Sequence, residues 1–398
     1  MKILIFSKHF WPDNFKINII ASELVKRGHK VSVLTSNSSY HITKNKKYKK
    51  SFFLKKLKWN GINIYYLPVF KKKKYNYFNI LLDYCSHFLS LFFYCHFFIK
   101  KKFDLTFVFG TSPIFQSIPA IYFSYLIKRP LILWVQDLWP DSLIDTGYIK
   151  NRFFLRIIKF FVKINYNFST LILVQSNNFK KKIKRDFNLK KKILTYYNLS
   201  ELRFQKFLNP NNRKFTVVYS GNFGEAQDFE TLLKVMKIKE IQKLFYFKLI
   251  GSGKKFDYIK KYIIKNDLSQ FVKIEKYMTE KKLYRVLLKS DALFITLKRG
   301  LALDNTIPGK FQTYLAFGKP LLANCVGATR KIIIDTKIGY SNSPGDTSTL
   351  YKNLINLRKL SAQKQNNIYK RSNLLYNQHF AIDKNLNYLE NIFKKIKK

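Results

Sequence analysis

Acidic residues are scarce. The 398-residue chain carries 23 Asp and Glu against 74 Lys and Arg, a formal net charge of +51. An excess of this size directs attention to polyanions: nucleic acid, an anionic membrane or phosphorylated ligands. Part of it is compositional, because Lys is strongly preferred over Arg, and Asn, Ile, Phe and Tyr crowd out Ala and Gly in the manner of an AT-rich genome. Cysteine is scarcer still. Cys85, Cys95 and Cys325 form no CxxC pair and no disulfide-like spacing, so they are expected as reduced core residues of a cytosolic protein. The opening "MKILIFSKHF" has an apolar run of only four residues, too short for a signal-peptide core. GxGxxG and Walker A loops are absent, which disfavours a nicotinamide enzyme or a P-loop ATPase.

Short apolar runs with helix-length spacing are plentiful. Ile3 to Ser7, then "VSVLTS", "GINIYYLPV", "DLTFVFG", "PLILWVQD" and "TLILVQS" predict a parallel sheet with helices on both faces. After a polar stretch at 208–214 the pattern restarts with "FTVVYSGNFG", "LFYFKLIGSG", "FVKIEKY", "ALFITLK" and "KPLLANCVG". The expected architecture is α/β: two doubly wound Rossmann-like domains, 1–205 and 214–375, and a C-terminal helix, 376–398, able to pack back on the first. In such sheets ligands sit outside the carboxyl ends of strands, so a cleft between the domains is the expected site.

Three segments of the second half suit an anion. In "VVYSGNFGEAQDFETLL" a buried strand runs into Gly221, Asn222 and Gly224 before a helix, and backbone N–H groups at a helix start attract phosphate. A tight turn that needs glycine reads equally well from the residues alone. "KLIGSGKKF" repeats the arrangement with Gly251 and Gly253. "TIPGKFQTYLAFGKPLLANCVG" places Gly309 and Lys310 in the first turn of a helix; a solvated lysine on a well-capped helix is the alternative.

In this order and spacing, the three segments resemble the nucleotide-sugar half of GT-B glycosyltransferases of family 4. The closest likeness is to the branch that builds bacterial O-antigen, capsule and related polysaccharides. "FWPDNFKINIIASELVKRGHKVSVLTS" and "LILWVQDLWPDSLIDTGYI" are similar to the acceptor half of that branch. The resemblance implies a transfer that retains anomeric configuration, from a nucleoside-diphosphate sugar to a glycan acceptor, commonly undecaprenyl-diphosphate-linked. It implies no cofactor and no metal, and "DLWPD" is not a DXD motif. Gly221, Asn222, Gly224, Gly251 and Gly309 would face the donor, with Lys310 and Arg299 at its phosphates. The two glutamates of the family's EX7E pattern fall on Asn305 and Thr313. This chain departs there, so hydrogen bonds from Asn305 to the sugar and from Thr313 to the ribose replace carboxylate roles. His9, Asn18 and Asp141 correspond to acceptor contacts, and Asp137, with Lys310 and Asn305, to the catalytic group. From the residues alone, Asp141 reads equally as a helix N-cap, His9 as structural and Trp134 as core.

The only long apolar run, 78–99, lies between Lys71–Lys74 and Lys100–Lys102 and is long enough to cross a bilayer. Asn79, Asp83, Ser86, His87 and Ser90 fall on one of its helical faces. Strands expected on either side of it belong to one sheet, which a single crossing would tear apart. The run is therefore expected as a sheet-covering helix with an apolar outer side, held against an anionic cytoplasmic leaflet by lysines worth about 1 kcal/mol each. A wholly buried helix is the alternative. Two rival functions remain: a GT-B sugar-nucleotide epimerase, and a basic nucleic-acid-binding protein. Scattered lysines, and aromatics expected inside buried elements, argue against nucleic acid.

Overall fold

Continuous apolar runs become the strands of two sheets. The computed structural model describes residues 1–37, 53–70, 77–147, 149, 151–206 and 214–397. The chain divides into two compact units, Met1–Tyr197 with Asn385–Lys398, and Asn198–Lys384. The division falls at 197/198 and 384/385, beside the expected boundaries at 205, 214 and 376. The polar stretch 208–214 lies outside the described residues except for Lys214.

The first unit runs β1 (Lys2–Phe6), α1 (Lys16–Lys26), β2 (Lys30–Ser36), β3 (Lys55–Trp59), β4 (Ile62–Leu67), α2 (Tyr77–Tyr94), β5 (Leu105–Gly110) and α3 (Ser117–Leu126). It continues with β6 (Leu131–Val135), α4 (Asp141–Asp145), α5 (Arg152–Phe168), β7 (Leu171–Val174), α6 (Asn177–Phe187) and β8 (Ile193–Thr195). The sheet order is β3-β4-β2-β1-β5-β6-β7-β8. Every pairing is parallel except β3 with β4, an antiparallel edge that the apolar pattern did not announce because β3 is mostly lysine. Right-handed crossovers that run from β4 through β5, β6 and β7 to β8 put α2, α3, α5 and α6 on one face, opposite α1.

The second unit runs β9 (Phe215–Asn222), α7 (Phe229–Met236), α8 (Lys239–Leu244), β10 (Phe245–Ser252), α9 (Phe256–Lys265), β11 (Val272–Glu275), α10 (Glu280–Leu288) and β12 (Ala292–Thr296). After it come α11 (Gly309–Leu315), β13 (Leu321–Asn324), α12 (Gly327–Asp335), β14 (Gly339–Asn342), α13 (Thr347–Arg358) and α14 (Ala362–His379). Its sheet, β11-β10-β9-β12-β13-β14, is parallel throughout. The last helix, α15 (Ile382–Lys397), packs Phe393 on Phe107 and pairs Glu390 with Arg27 at 2.9 Å in the first unit.

The helix α2 turns its polar stripe inward. Asp83 and His87 are fully buried, Asp83 Oδ1 lies 2.9 Å from Lys8 Nζ, and the Ser90 hydroxyl donates to the Pro68 carbonyl. Phe78, Leu81, Leu89 and Phe93 point outward, and so does Cys85, against the core placement expected for all three cysteines; Cys95 and Cys325 are buried. With the 3₁₀ turn Cys95–Lys101 it makes the one stretch among the described residues long and apolar enough to cross a membrane. β4 before it and β5 after it are strands of the same sheet, so it does not cross. Lys71–Lys74 lie outside the described residues. Lys101 folds back, donating to the Tyr65 hydroxyl at 3.2 Å with its ammonium 4.2 Å from the Phe98 ring centre.

Candidate functional site

A doubly wound sheet opens a ligand crevice where its winding reverses. In the second unit the reversal lies between β9 and β12, since β10 and β11 follow on one side and β13 and β14 on the other. The loop after β9 holds Gly221, Asn222 and Gly224; the connection after β12 leads to α11 and Lys310. Gly221 has a φ of 143°, and a Cβ there would lie 2.3 Å from Lys310 Cε and 2.9 Å from its Nζ. The lysine thus lies directly over the glycine. Its ammonium sits 4.7 Å from the Tyr219 ring centre, and among the described residues it makes no ion pair. Burial pushes its pKa down to about 8.

Two tyrosines hold this turn. The Tyr314 hydroxyl accepts from Ser220 N at 2.6 Å and donates to Ser220 O at 3.1 Å, while Tyr219 donates to Asn222 O at 2.5 Å. Tyr314 lies four residues beyond Lys310, hence on the same face of α11. That spacing was readable in the sequence and went unused.

The other donor-side residues are placed differently. Gly224 N–H is taken by Gln227 Oε1 at 2.9 Å, so it is not offered to a ligand. Gly251 is required by packing, since a Cβ there would lie 1.8 Å from Gly221 O. Arg299 is exposed and pairs with Asp304 at 3.2 Å. Asn305 donates to Leu301 O at 2.7 Å, and Thr313 to Gly309 O at 3.3 Å, both within their own helical turns. Gly309 opens α11 with nothing within 4 Å of the point where a Cβ would stand. The structure therefore brings Lys310 to Gly221 and Asn222, and leaves Arg299, Asn305 and Thr313 in local bonds.

A buried network went unread in the sequence. Asp228 caps α7, accepts from Asn324 at 3.0 Å and from Gly345 N at 3.1 Å, and so joins the ends of β9 and β13. Burial pushes its carboxyl up, but bonds from Thr231, Asn324 and Gly345 outweigh that and hold its pKa low.

In the first unit the winding reverses between β1 and β5. His9, past β1, is buried and stacks on Phe15 with ring centres 5.3 Å apart. Asp137, past β6, is half-buried; its Oδ2 accepts from Ser112 N at 2.7 Å and Ser112 Oγ at 2.8 Å, and Trp139 Nε1 donates to that hydroxyl at 2.9 Å. Burial outweighs the Ser112 bonds and raises the Asp137 pKa. Asp141 is the first residue of α4, not its cap, and is held by Lys182 at 2.8 Å. Asn18 donates to Asp13 O at 2.7 Å, and Trp134 is buried core.

Known proteins are built from two such sheets. The chain superposes on sucrose-phosphate synthase from Thermosynechococcus elongatus with a TM-score of 0.73 at 12% identity, covering 99% of this chain and 98% of that one. For HepE of Anabaena in complex with UDP the values are 0.68 and 14%, covering 99% and 100%. The fold is GT-B. A glycosyltransferase from Rickettsia africae matches the GT-B chain at 0.67 and 13%, covering 100% and 98%. Residues 200–375 match the family model described as glycosyl transferases group 1. An uncharacterised glycosyltransferase of Methanocaldococcus jannaschii is 26% identical over 231 residues, 55% of this chain and 57% of that one. The chain thus spans little more than half the length of this curated relative. The whole chain thus shares the GT-B fold, and residues 200–375 resemble the glycosyl transferases group 1 family.

Proposed function

We propose that the protein is a retaining glycosyltransferase of family 4 that moves a hexosyl or N-acetylhexosaminyl group from a nucleoside-diphosphate sugar to a lipid-linked glycan in bacterial surface polysaccharide synthesis. The observation that carries the reading is Lys310: a half-buried ammonium without a carboxylate, laid over the glycine turn at the winding reversal of the second sheet. A desolvated, unpaired cation is costly, and a diphosphate supplies the missing charge. As the glycosidic bond breaks, negative charge grows on the leaving diphosphate, and a fixed cation there favours the transition state over the bound ground state. HepE in complex with UDP is a GT-B neighbour that binds such a nucleotide.

On the acceptor side, Asp137 is the proposed partner of the attacking hydroxyl, with Ser112 fixing one carboxylate oxygen. His9, past β1 and two strands along the sheet from β6, is the proposed further acceptor contact. The lipid-linked acceptor is met at the cytoplasmic leaflet, where the outward apolar side of α2 makes peripheral contact.

A thermal-shift screen of nucleoside diphosphates and their sugars tests the donor class. One base is expected to stabilise the protein, and the same donor, labelled, is expected to pass its sugar to a glycolipid acceptor. Turnover of the donor without any acceptor would instead indicate an epimerase.

A further inference from the structure

We propose that α5, with the basic cavity beside it, docks the protein on an anionic phospholipid leaflet. The helix has three faces. Ile158, Val162 and Tyr166 pack inward. Phe153, Phe154, Ile157, Phe160, Phe161 and Phe168 face outward, between 38% and 67% exposed. Arg152, Arg156, Lys159 and Lys163 follow at intervals of four, three and four, so they form one stripe along the edge of the phenylalanine face.

Beside that stripe a cavity of about 340 Å³ opens between α5 and α6, lined by Arg156, Lys159, Lys163, Arg185, Asp186 and Phe187 among others. Its one carboxylate, Asp186, is already bound by Lys182 at 2.9 Å and Arg185 at 2.8 Å. Lys159 Nζ lies 5.6 Å from the Phe187 ring centre. Cations in excess around a recess, against an apolar face, match a phosphodiester headgroup with acyl chains beside it. A nucleic acid would use the cations and leave the aliphatic and phenylalanine surface wet. The surface continues through α3, which packs on both α2 and α5 and exposes Tyr125 and Leu126.

This inference rests on the membrane contact proposed for α2 and adds a second helix and a headgroup chemistry to it. The test is co-sedimentation of the full chain with phosphatidylcholine vesicles, with and without phosphatidylglycerol. Arg156→Gln/Lys163→Gln is expected to weaken partition to the anionic vesicles by roughly fivefold per cation, about 25-fold in all. Phe153→Ser/Phe160→Ser is expected to lower it by about tenfold or more, in high salt as well as low. Lys260→Gln/Lys261→Gln, which removes two exposed charges from the second unit, is expected to change it little.

All six positions are exposed, so unchanged melting temperatures are expected to accompany these shifts. Equal losses from the control pair, or an unchanged partition in the α5 variants, overturn the proposal. So does a phenylalanine variant that alters oligomeric state in sedimentation velocity while leaving partition intact, since the face would then belong to a second copy. A Phe78→Ser/Leu81→Ser arm separates the two readings. If it alone loses binding, α2 stands and α5 falls; if neither pair matters, both fall.

Discussion

Two lysines mark the difference between the units. Lys8, just past β1, is fully buried with its ammonium 2.9 Å from Asp83, and its backbone N–H is taken by Gln116. Lys310, over the turn after β9, has no carboxylate and a pKa pushed down to about 8. A buried cation supplied with its own anion ties a helix to a sheet. One left without an anion, at the carboxyl ends of strands, is a place for a ligand's charge. The same fold plan carries both, and the proposed phosphate chemistry belongs to the second sheet.

The largest expected effect is on Lys8. Lys8→Met takes the ammonium away from the buried Asp83 carboxylate, which costs roughly 3–5 kcal/mol. All four tryptophans, Trp11, Trp59, Trp134 and Trp139, lie in the first unit, so their fluorescence in urea reports that unit alone. Adding Asp83→Leu is expected to recover most of the loss. If Lys8→Met does not move the midpoint, the pair is inert.

Lys310→Met is expected to leave that urea midpoint in place and to lower transfer by roughly 10²–10³. A near-normal rate in this variant removes Lys310 from the chemistry. Gly251→Ala sets a methyl against Gly221 O at a φ of 148° and is expected to cost about 1–3 kcal/mol and to weaken nucleotide affinity, read by calorimetry. Gly309→Ala, in open space, should stay within about 0.5 kcal/mol in stability. An equal effect at the two glycines would mean that the strand ends are not what shapes the site.

The parallel strands of both sheets were legible because strands buried on two sides read as unbroken apolar runs such as "LILWV" and "ALFIT". The edges were not: lysine-rich β3 and the short β8 and β14 carry no such signal. The stripe on α2 was visible, but periodicity cannot say which face turns inward, and here Asp83 found Lys8 from 75 residues away. Most aromatics lie inside the elements as expected, and α2 shows its expected apolar outer side, but the exposed phenylalanines of α5 were not anticipated, whereas the second unit exposes no phenylalanine among the described residues. At the site, the glycines and Lys310 could be picked out by spacing, but their division of labour could not. Gly251 gives way to a carbonyl and Gly224 spends its N–H on Gln227, contacts that exist only once β9 and β10 are paired.

The most direct measurement is the proton balance of nucleotide binding. Burial pushes the Lys310 pKa down to about 8, and a diphosphate beside it is expected to raise that value. Binding should then take up protons above about pH 8, with affinity constant below that and falling by up to tenfold per pH unit above it. Calorimetry of the stabilising nucleoside diphosphate in buffers of different ionisation enthalpy is predicted to show this uptake in the wild type and its loss in Lys310→Met. Identical proton balance in the two proteins would contradict a phosphate role for Lys310.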